Sequence, residues 1–135
     1  RGLGDVYKRQ RLILAGIAGA SDRWVAVSEV VAVAGERIAE LPGKYAVRYA
    51  ADFIPAGLRT VESNTTNRTG VAASGTQIEN MEGAAFLAVC RAFGVPGAEV
   101  RAVSNYTDDP RSAWRIEESA EKLAKTIIRI LPDYE

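Results

Sequence analysis

Two polar residues stand where chemistry is plausible. Glu82 heads Gly83 to Cys90, an otherwise apolar run whose length and alanine content predict a buried helix. A carboxylate there needs a partner to offset its desolvation, or it is held ready for use. Ionised, it offers acceptors only, and its charge favours a neighbouring centre that turns positive in a transition state. Position alone favours the plainer role of a helix-start acid that complements the macrodipole and caps backbone amides. Asn105 follows a strand-like run from Ala98 to Ser104. Its amide accepts one hydrogen bond while donating another, at a strand end of the kind where open α/β sheets bind ligands. The alternative is an Asx-turn into Tyr106-Thr107-Asp108.

Lesser candidates surround these two. Met81 can lay a polarizable thioether against a ligand face, although a lone methionine is more often core filling. Ala18 and Gly19 are small enough to let a ligand approach the main chain, or they simply satisfy turn geometry. Arg111 and Trp114 offer a guanidinium for a carboxylate and an indole for stacking, against the plainer roles of solvated charge and core anchor. Arg101 is expected to pair with Glu99 or another acid on the sheet and receives no functional role. Cys90 reads as a small apolar filler.

The elements that must position these residues follow from periodicity. Leu12-Ile13-Leu14-Ala15, stopped by Gly16, predicts a fully buried strand delivering a tight turn. Gly16-x-x-Gly19 lacks the third glycine of a dinucleotide fingerprint and the lysine of a P-loop, so it is a weak phosphate signal. Residues 24–33 alternate Val25, Val27, Val31 and Val33 with smaller or polar residues, predicting a strand bent near Ser28-Glu29. A short polar turn or helix is expected over 36–40, stopped by Pro42-Gly43, with weaker strands over 45–49 and 58–61 and a loop over 64–76. A helix is expected from Glu79 or Asn80 to Phe93, with Gly94 as its C-cap and Pro96 barring continuation. Ala98 to Ser104 gives the next strand. Ile116, Ala120, Leu123, Ala124, Ile127 and Leu131 mark a last helix terminated by Pro132. Strand, helix, strand, helix implies parallel pairing with right-handed crossovers.

Composition narrows the chemistry. The 135 residues suffice for one core, and 47% apolar content excludes general disorder. Seventeen basic residues balance seventeen acidic ones, so no net field draws nucleic acid or an anionic membrane, and no apolar run is long enough to span a bilayer. A small-molecule ligand is the better expectation. The single cysteine cannot form an internal disulfide, which fits a reducing cytoplasm. The absence of histidine removes imidazole triads, metal sites and proton shuttles, leaving acid–base work to carboxylates, amides, hydroxyls, lysine or water. Residues 1–10, with Gly2, Gly4 and a polar Tyr7-Lys8-Arg9-Gln10 end, show no periodicity and read as a non-native leader resembling a translated cloning adapter, leaving 11–135 as a partial domain.

Met81-Glu82-Gly83-Ala84-Ala85 on a helix, followed by Arg101-Ala102-Val103-Ser104-Asn105 closing the next strand, resembles the nucleoside phosphorylase and nucleosidase superfamily. Gly16-Ile17-Ala18-Gly19-Ala20 is similar to its glycine-alanine turn, and Asn105-Tyr106 with Arg111 and Trp114 is most similar to the futalosine hydrolases. The resemblance, from about Leu12 to Leu131, implies an α/β phosphorylase-type three-layer fold with a mixed central sheet, its N-terminal part missing. It implies a purine nucleosidase needing neither metal nor organic cofactor, and commonly a homodimer. Glu82 would hold the ribose 2′ and 3′ hydroxyls with Met81 against the sugar or base, and Ala18 and Gly19 would contact the ribose or the attacking water. Asn105 would meet a departing 6-oxopurine at N7 and O6, and Arg111 and Trp114 would take the acidic aromatic tail of futalosine. The superfamily orients its water with an N-terminal glutamate that no residue here matches, so the 135-residue chain is expected to be weak or inactive. Alternatives are a methylthioadenosine/adenosylhomocysteine nucleosidase, a phosphorolytic purine nucleoside phosphorylase, for which no arginine cluster is seen near Gly16, and a non-catalytic fragment that only self-associates.

Overall fold

The computed structural model describes residues 10–71 and 73–134. Apart from Gln10, the leader assigned to residues 1–10 therefore lies outside the described residues. Six strands, β1 (Leu12–Ala20), β2 (Val30–Arg37), β3 (Tyr49–Ala50), β4 (Arg59–Thr65), β5 (Ile78–Asn80) and β6 (Gly97–Tyr106), are joined by helices α1 (Gly83–Phe93) and α2 (Ile116–Ile130). The sheet runs β3-β2-β4-β5-β1-β6, and a further pairing of β2 with β6 closes five of the strands into a ring. Parallel pairing of β1 with β6, β2 with β4 and β4 with β5 coexists with antiparallel pairing of β1 with β5, β2 with β3 and β2 with β6. The sheet is mixed, as the resemblance implied and as strand–helix alternation alone did not.

Ring closure follows from a division of one strand edge. Val30 to Val33 of β2 pair with β6, and beyond the irregularity at Ala34, Gly35 and Glu36 pair with β3. Every ring strand then contributes to one enclosed cluster: Ala18 and Ala20, Val31 and Val33, Val61, Ile78, and Val103. Helix α2 is pinned across β6, because Arg115 N–H donates to the Ser104 carbonyl at 2.7 Å and Ser119 Oγ donates to the Val103 carbonyl at 2.8 Å.

Several boundaries differ from the sequence expectation for physical reasons. β1 does not turn at Gly16 but continues to Ala20, because the glycines make room for side chains of adjacent strands: a Cβ at Gly16 would collide with the Arg101 guanidinium. Nor is β1 fully buried. β2 starts at Val30, not Trp24; Ser28 takes a left-handed φ of 72° and breaks the ladder at the expected bend, while Val25 enters the core from the preceding turn. Its other end extends through Glu36 and Arg37, which the sequence placed in a turn, and Glu36 is fully buried. Of residues 45–49 only Tyr49 is in a strand, whereas β4 runs on through Asn64 and Thr65 into what read as loop.

Helix α1 starts later than expected, at Gly83. Ile78 to Asn80 are held as β5 between β4 and β1, and Asn80 Oδ1 accepts the amides of Glu82 and Gly83 at 2.9 and 2.7 Å. Those are helix-start donors that would otherwise lack partners. At its other end Gly94, with φ 66°, is the left-handed cap that the sequence indicated. In α2, Pro132 falls within a 3-10 turn (Leu131–Tyr134) after the helix stops at Ile130.

Candidate active site

The strand ends and the start of α1 enclose a cleft of about 350 Å³. Ala18, Gly19, Met81, Glu82, Asn105, Arg111 and Trp114 all line it, so the structure brings every residue singled out in the sequence to one place. Thr66, Glu79, Asn80 and Ser104, which the sequence reading did not select, line it too.

Glu82 is not buried, and although it occupies the N-cap position its side chain caps no amide. Its side chain is 54% exposed, and capping is done by Asn80. One carboxylate oxygen is fixed instead: Arg101 Nη1 donates to Glu82 Oε1 at 2.5 Å. Arg101, only 1% exposed, is the centre of the site's electrostatics. Its Nε donates to Glu99 Oε2 at 2.7 Å, Nη1 also to the Ile17 carbonyl at 3.1 Å, and Nη2 to Asn80 Oδ1 at 3.1 Å. The pairing with Glu99 was expected; the pairing with Glu82, which positions the candidate ribose-binding carboxylate, was not. A guanidinium surrounded in this way keeps its charge, since two carboxylates offset its loss of water and raise its pKa.

Behind Arg101 lies a second buried carboxyl. Glu36 accepts from Thr65 Oγ1 at 2.8 Å and from Asn80 Nδ2 at 2.6 Å, and it faces Glu99. Loss of solvent, then the neighbouring Glu99, pushes its pKa up to about 9. Glu36 therefore favours its protonated form at neutral pH, while Arg101 is paired with the other two carboxyl groups, Glu99 and Glu82. Gly83 packs directly against this pair; a Cβ there would overlap Glu36 Oε2 and come within 2.7 Å of Glu99 Oε2.

Asn105 is oriented by its neighbours. Ser104 Oγ donates to Asn105 Oδ1 at 2.8 Å, and Asn105 Nδ2 donates to the Tyr106 carbonyl at 2.8 Å. The turn after β6 is closed by another residue, since Asp109 Oδ2 accepts the Tyr106 amide at 2.9 Å. Asn105 keeps one N–H and one acceptor lone pair for a ligand. Arg111 lies over the Trp114 ring at 4.4 Å, and the buried Trp114 Nε1 has no hydrogen-bond partner among the described residues. Met81 is 57% exposed, so it fills no core.

The sequence profile of the Phosphorylase superfamily matches residues 56–134, more than half of the chain. The chain belongs to that superfamily. Futalosine hydrolase of Thermus thermophilus is 45% identical over 60 residues, 44% of this chain and 27% of that protein. The match thus spans about a quarter of that relative's length. Among solved structures, the fold is similar to an MTAN variant from Chlamydia trachomatis bound to MTA, with a TM-score of 0.80 and 17% identity over 98% of this chain and 73% of that one. It is also similar to futalosine hydrolase of Helicobacter pylori, with a TM-score of 0.79 and 16% identity over 92% of this chain and 68% of that one. At such identities the structural likeness establishes the superfamily fold.

The proton on Glu36 has a measurable consequence. The folded protein holds it up to about pH 9, whereas an unfolded chain releases it near 4.5. Its contribution to stability is thus complete below about pH 4.5 and is lost as pH rises through about 9, at up to about 1.4 kcal/mol per pH unit. Thermal unfolding from pH 5 to 9 should show a falling Tm in the wild type. The fall should be clearly flatter in Glu36→Gln, which has no proton to lose; parallel curves would rule out a protonated Glu36.

Proposed function

We propose that the cleft binds a purine nucleoside and hydrolyses its N-glycosidic bond, with futalosine as the substrate and hypoxanthine as the released base. The observation carrying this reading is the convergence of Glu82 and Asn105 on one cleft, a fixed carboxylate at the start of α1 and an oriented amide at the end of β6. Glu82 holds the vicinal ribose hydroxyls and favours the oxocarbenium-like sugar that forms as the bond lengthens. Asn105 donates to O6 and accepts from a protonated N7, so the base leaves neutral. Met81 lies against the sugar or base, Ala18 and Gly19 contact the ribose or water, and Arg111 with Trp114 meets the acidic aromatic tail. The partial identity to futalosine hydrolase supports the choice of substrate. The reading includes a place in menaquinone biosynthesis, a cytoplasmic enzyme and a homodimer.

Hydrolysis is favoured over phosphorolysis by the state of Arg101, the guanidinium beside Gly16. Four of its five N–H donors go to Glu99, Glu82, Asn80 and the Ile17 carbonyl, so inorganic phosphate would have to displace carboxylates to bind it in a bidentate way. A second reading, a 5′-methylthioadenosine/S-adenosylhomocysteine nucleosidase, is favoured by likeness to enzymes of that description from C. trachomatis and H. pylori. The released base separates the two.

Incubated with futalosine in phosphate-free buffer, the full-length enzyme should release hypoxanthine; strict dependence on phosphate, or release of adenine from methylthioadenosine alone, would overturn the assignment. Glu82→Gln keeps the size of the side chain but removes the charge, so kcat/KM should fall roughly a hundredfold or more, about 3 kcal/mol, with little change in Tm. Loss of folding with unchanged turnover per folded molecule would return Glu82 to a structural role. Asn105→Asp places an oxygen against the Tyr106 carbonyl and against O6 of the base, which favours the protonated acid. It should cut 6-oxopurine cleavage and shift the kcat/KM ratio towards a 6-aminopurine analogue. An unaltered ratio would mean that Asn105 only finishes the strand.

A further inference from the structure

Asn80 lines the cleft, yet none of its polar capacity is left for a ligand. It ends β5, and its residue is 7% exposed. Oδ1 accepts three donors, the amides of Glu82 and Gly83 at 2.9 and 2.7 Å and Arg101 Nη2 at 3.1 Å. Nδ2 donates to Glu36 Oε2 at 2.6 Å and to Ser63 Oγ at 2.8 Å, which engages both of its hydrogens, with Glu99 Oε2 further off at 3.5 Å. The amide stands only one way round: turned over, its NH2 would face two backbone N–H groups and a guanidinium. A side chain so fully engaged can serve the reaction only through another residue.

That residue is Glu82. Oδ1 fixes the main chain of Glu82 through its amide, and through Arg101 Nη2 it also fixes the guanidinium whose Nη1 holds Glu82 Oε1 at 2.5 Å. One oxygen atom therefore controls both ends of the same residue. The control matters because the Glu82 side chain is 54% exposed. A carboxylate that must meet two vicinal hydroxyls loses affinity and rate if its ordering has to be supplied when the ligand binds. Neutrality matters as well. A carboxylate in place of the amide would make the stronger, charge-assisted bond to the guanidinium and draw it away from Glu82, whereas an amide oxygen leaves it shared.

We propose that Asn80 is the positioning residue for the ribose-binding carboxylate, holding Glu82 at its amide directly and at Oε1 through Arg101. The inference rests on the purine nucleosidase reading, in which Glu82 takes the ribose 2′ and 3′ hydroxyls, and adds to it a residue that touches no substrate atom.

The test reads the ribose contact by binding, apart from catalysis. Calorimetry on the full-length enzyme compares 9-deazainosine, whose carbon–carbon glycosidic bond resists hydrolysis, with its 2′,3′-dideoxy analogue. The wild type should prefer the ribose compound by about tenfold or more, a preference that Glu82→Gln reduces. Asn80→Ser keeps an oxygen for the helix-start amides but is too short to reach Arg101 and Glu36. Its preference should fall about fivefold or more, with the affinity for the dideoxy analogue nearly unchanged. In the Glu82→Gln background the same substitution should move the preference by less than about twofold, because the carboxylate it positions is gone. Asn80→Asp is the isosteric second variant: its charge competes with Glu82 for Arg101, and the preference should fall here too, again only while Glu82 is a carboxylate. An unmoved preference in the Asn80 variants, an equal loss for both ligands as expected of a purely structural residue, or an effect that adds to that of Glu82→Gln would each overturn the role of Asn80. Absence of binding or of the ribose preference in the wild type would do so as well. Hydrolysis of futalosine is decided by its own assay, so a preference that moves as stated without hydrolysis would retain Asn80 and refute the nucleosidase reading, and hydrolysis with an unmoved preference would do the reverse.

Discussion

The burial of Arg101 constrains everything around it. A guanidinium that is 1% exposed is tolerable only when its donors are met, and the partners come from four parts of the chain: Glu99 on β6, Ile17 on β1, Asn80 on β5 and Glu82 at the start of α1. Removing one partner would leave charge unmatched in a low-dielectric interior, so the four segments can hardly drift independently. Asn80 has the most demanding position, since its Oδ1 receives Arg101 and two helix-start amides while its Nδ2 reaches Glu36 and Ser63. Helix start, strand end and candidate catalytic carboxylate are in this way fixed by one polar network.

Glycines make that network sterically possible. Gly16 admits the Arg101 guanidinium beside β1, and Gly83 lets α1 descend onto the Glu36–Glu99 pair. Gly19 performs the same service for Glu79 and Asn105 at the mouth of the cleft. In each case the missing Cβ opens space for a polar side chain from an adjacent element, not for a bend. This is why β1 continues as a strand through a Gly-Ile-Ala-Gly sequence that reads locally as a turn, with one irregularity in its pairing with β6 between Ala18 and Gly19.

Much of the site was legible, and what was not has a common cause. Glu82 and Asn105 stand out because each interrupts or ends an apolar run, and the α1 C-cap stands out because Gly94 must adopt a positive φ. Glu36 and Asn80 were missed because their roles depend on partners distant in sequence: Asn80 is 44 residues from Glu36 and 21 from Arg101. Local reading assigned Glu36-Arg37-Ile38-Ala39-Glu40 to a polar turn, and nothing within those residues reveals that Glu36 faces Glu99. A signal did exist in β6, where Glu99, Arg101 and Val103 recur at every second position and so share one face. Two charges on the face of a strand that also buries Val103 call for buried partners, and the acidic and amide residues near other strand ends were the available supply. The short β5 was hidden for another reason. Three residues are too few for periodicity, and Ile78-Glu79-Asn80 owes its extension to pairing on both sides.

The charge arrangement bears on how the cleft could favour a cationic sugar despite the cation beneath it. Arg101 alone would oppose positive charge developing near Glu82. Arg101, however, is paired with two carboxyl groups, Glu99 and Glu82, so the cation does not stand alone beneath the cleft. Glu99 is fully buried and Glu82 half-exposed, so Glu82 is the member of the group that a ligand in the cleft meets. Glu36 joins this group through Asn80, whose Nδ2 donates to it while its Oδ1 accepts from Arg101, so the buried carboxyl of the sheet and the carboxylate at its rim belong to one network.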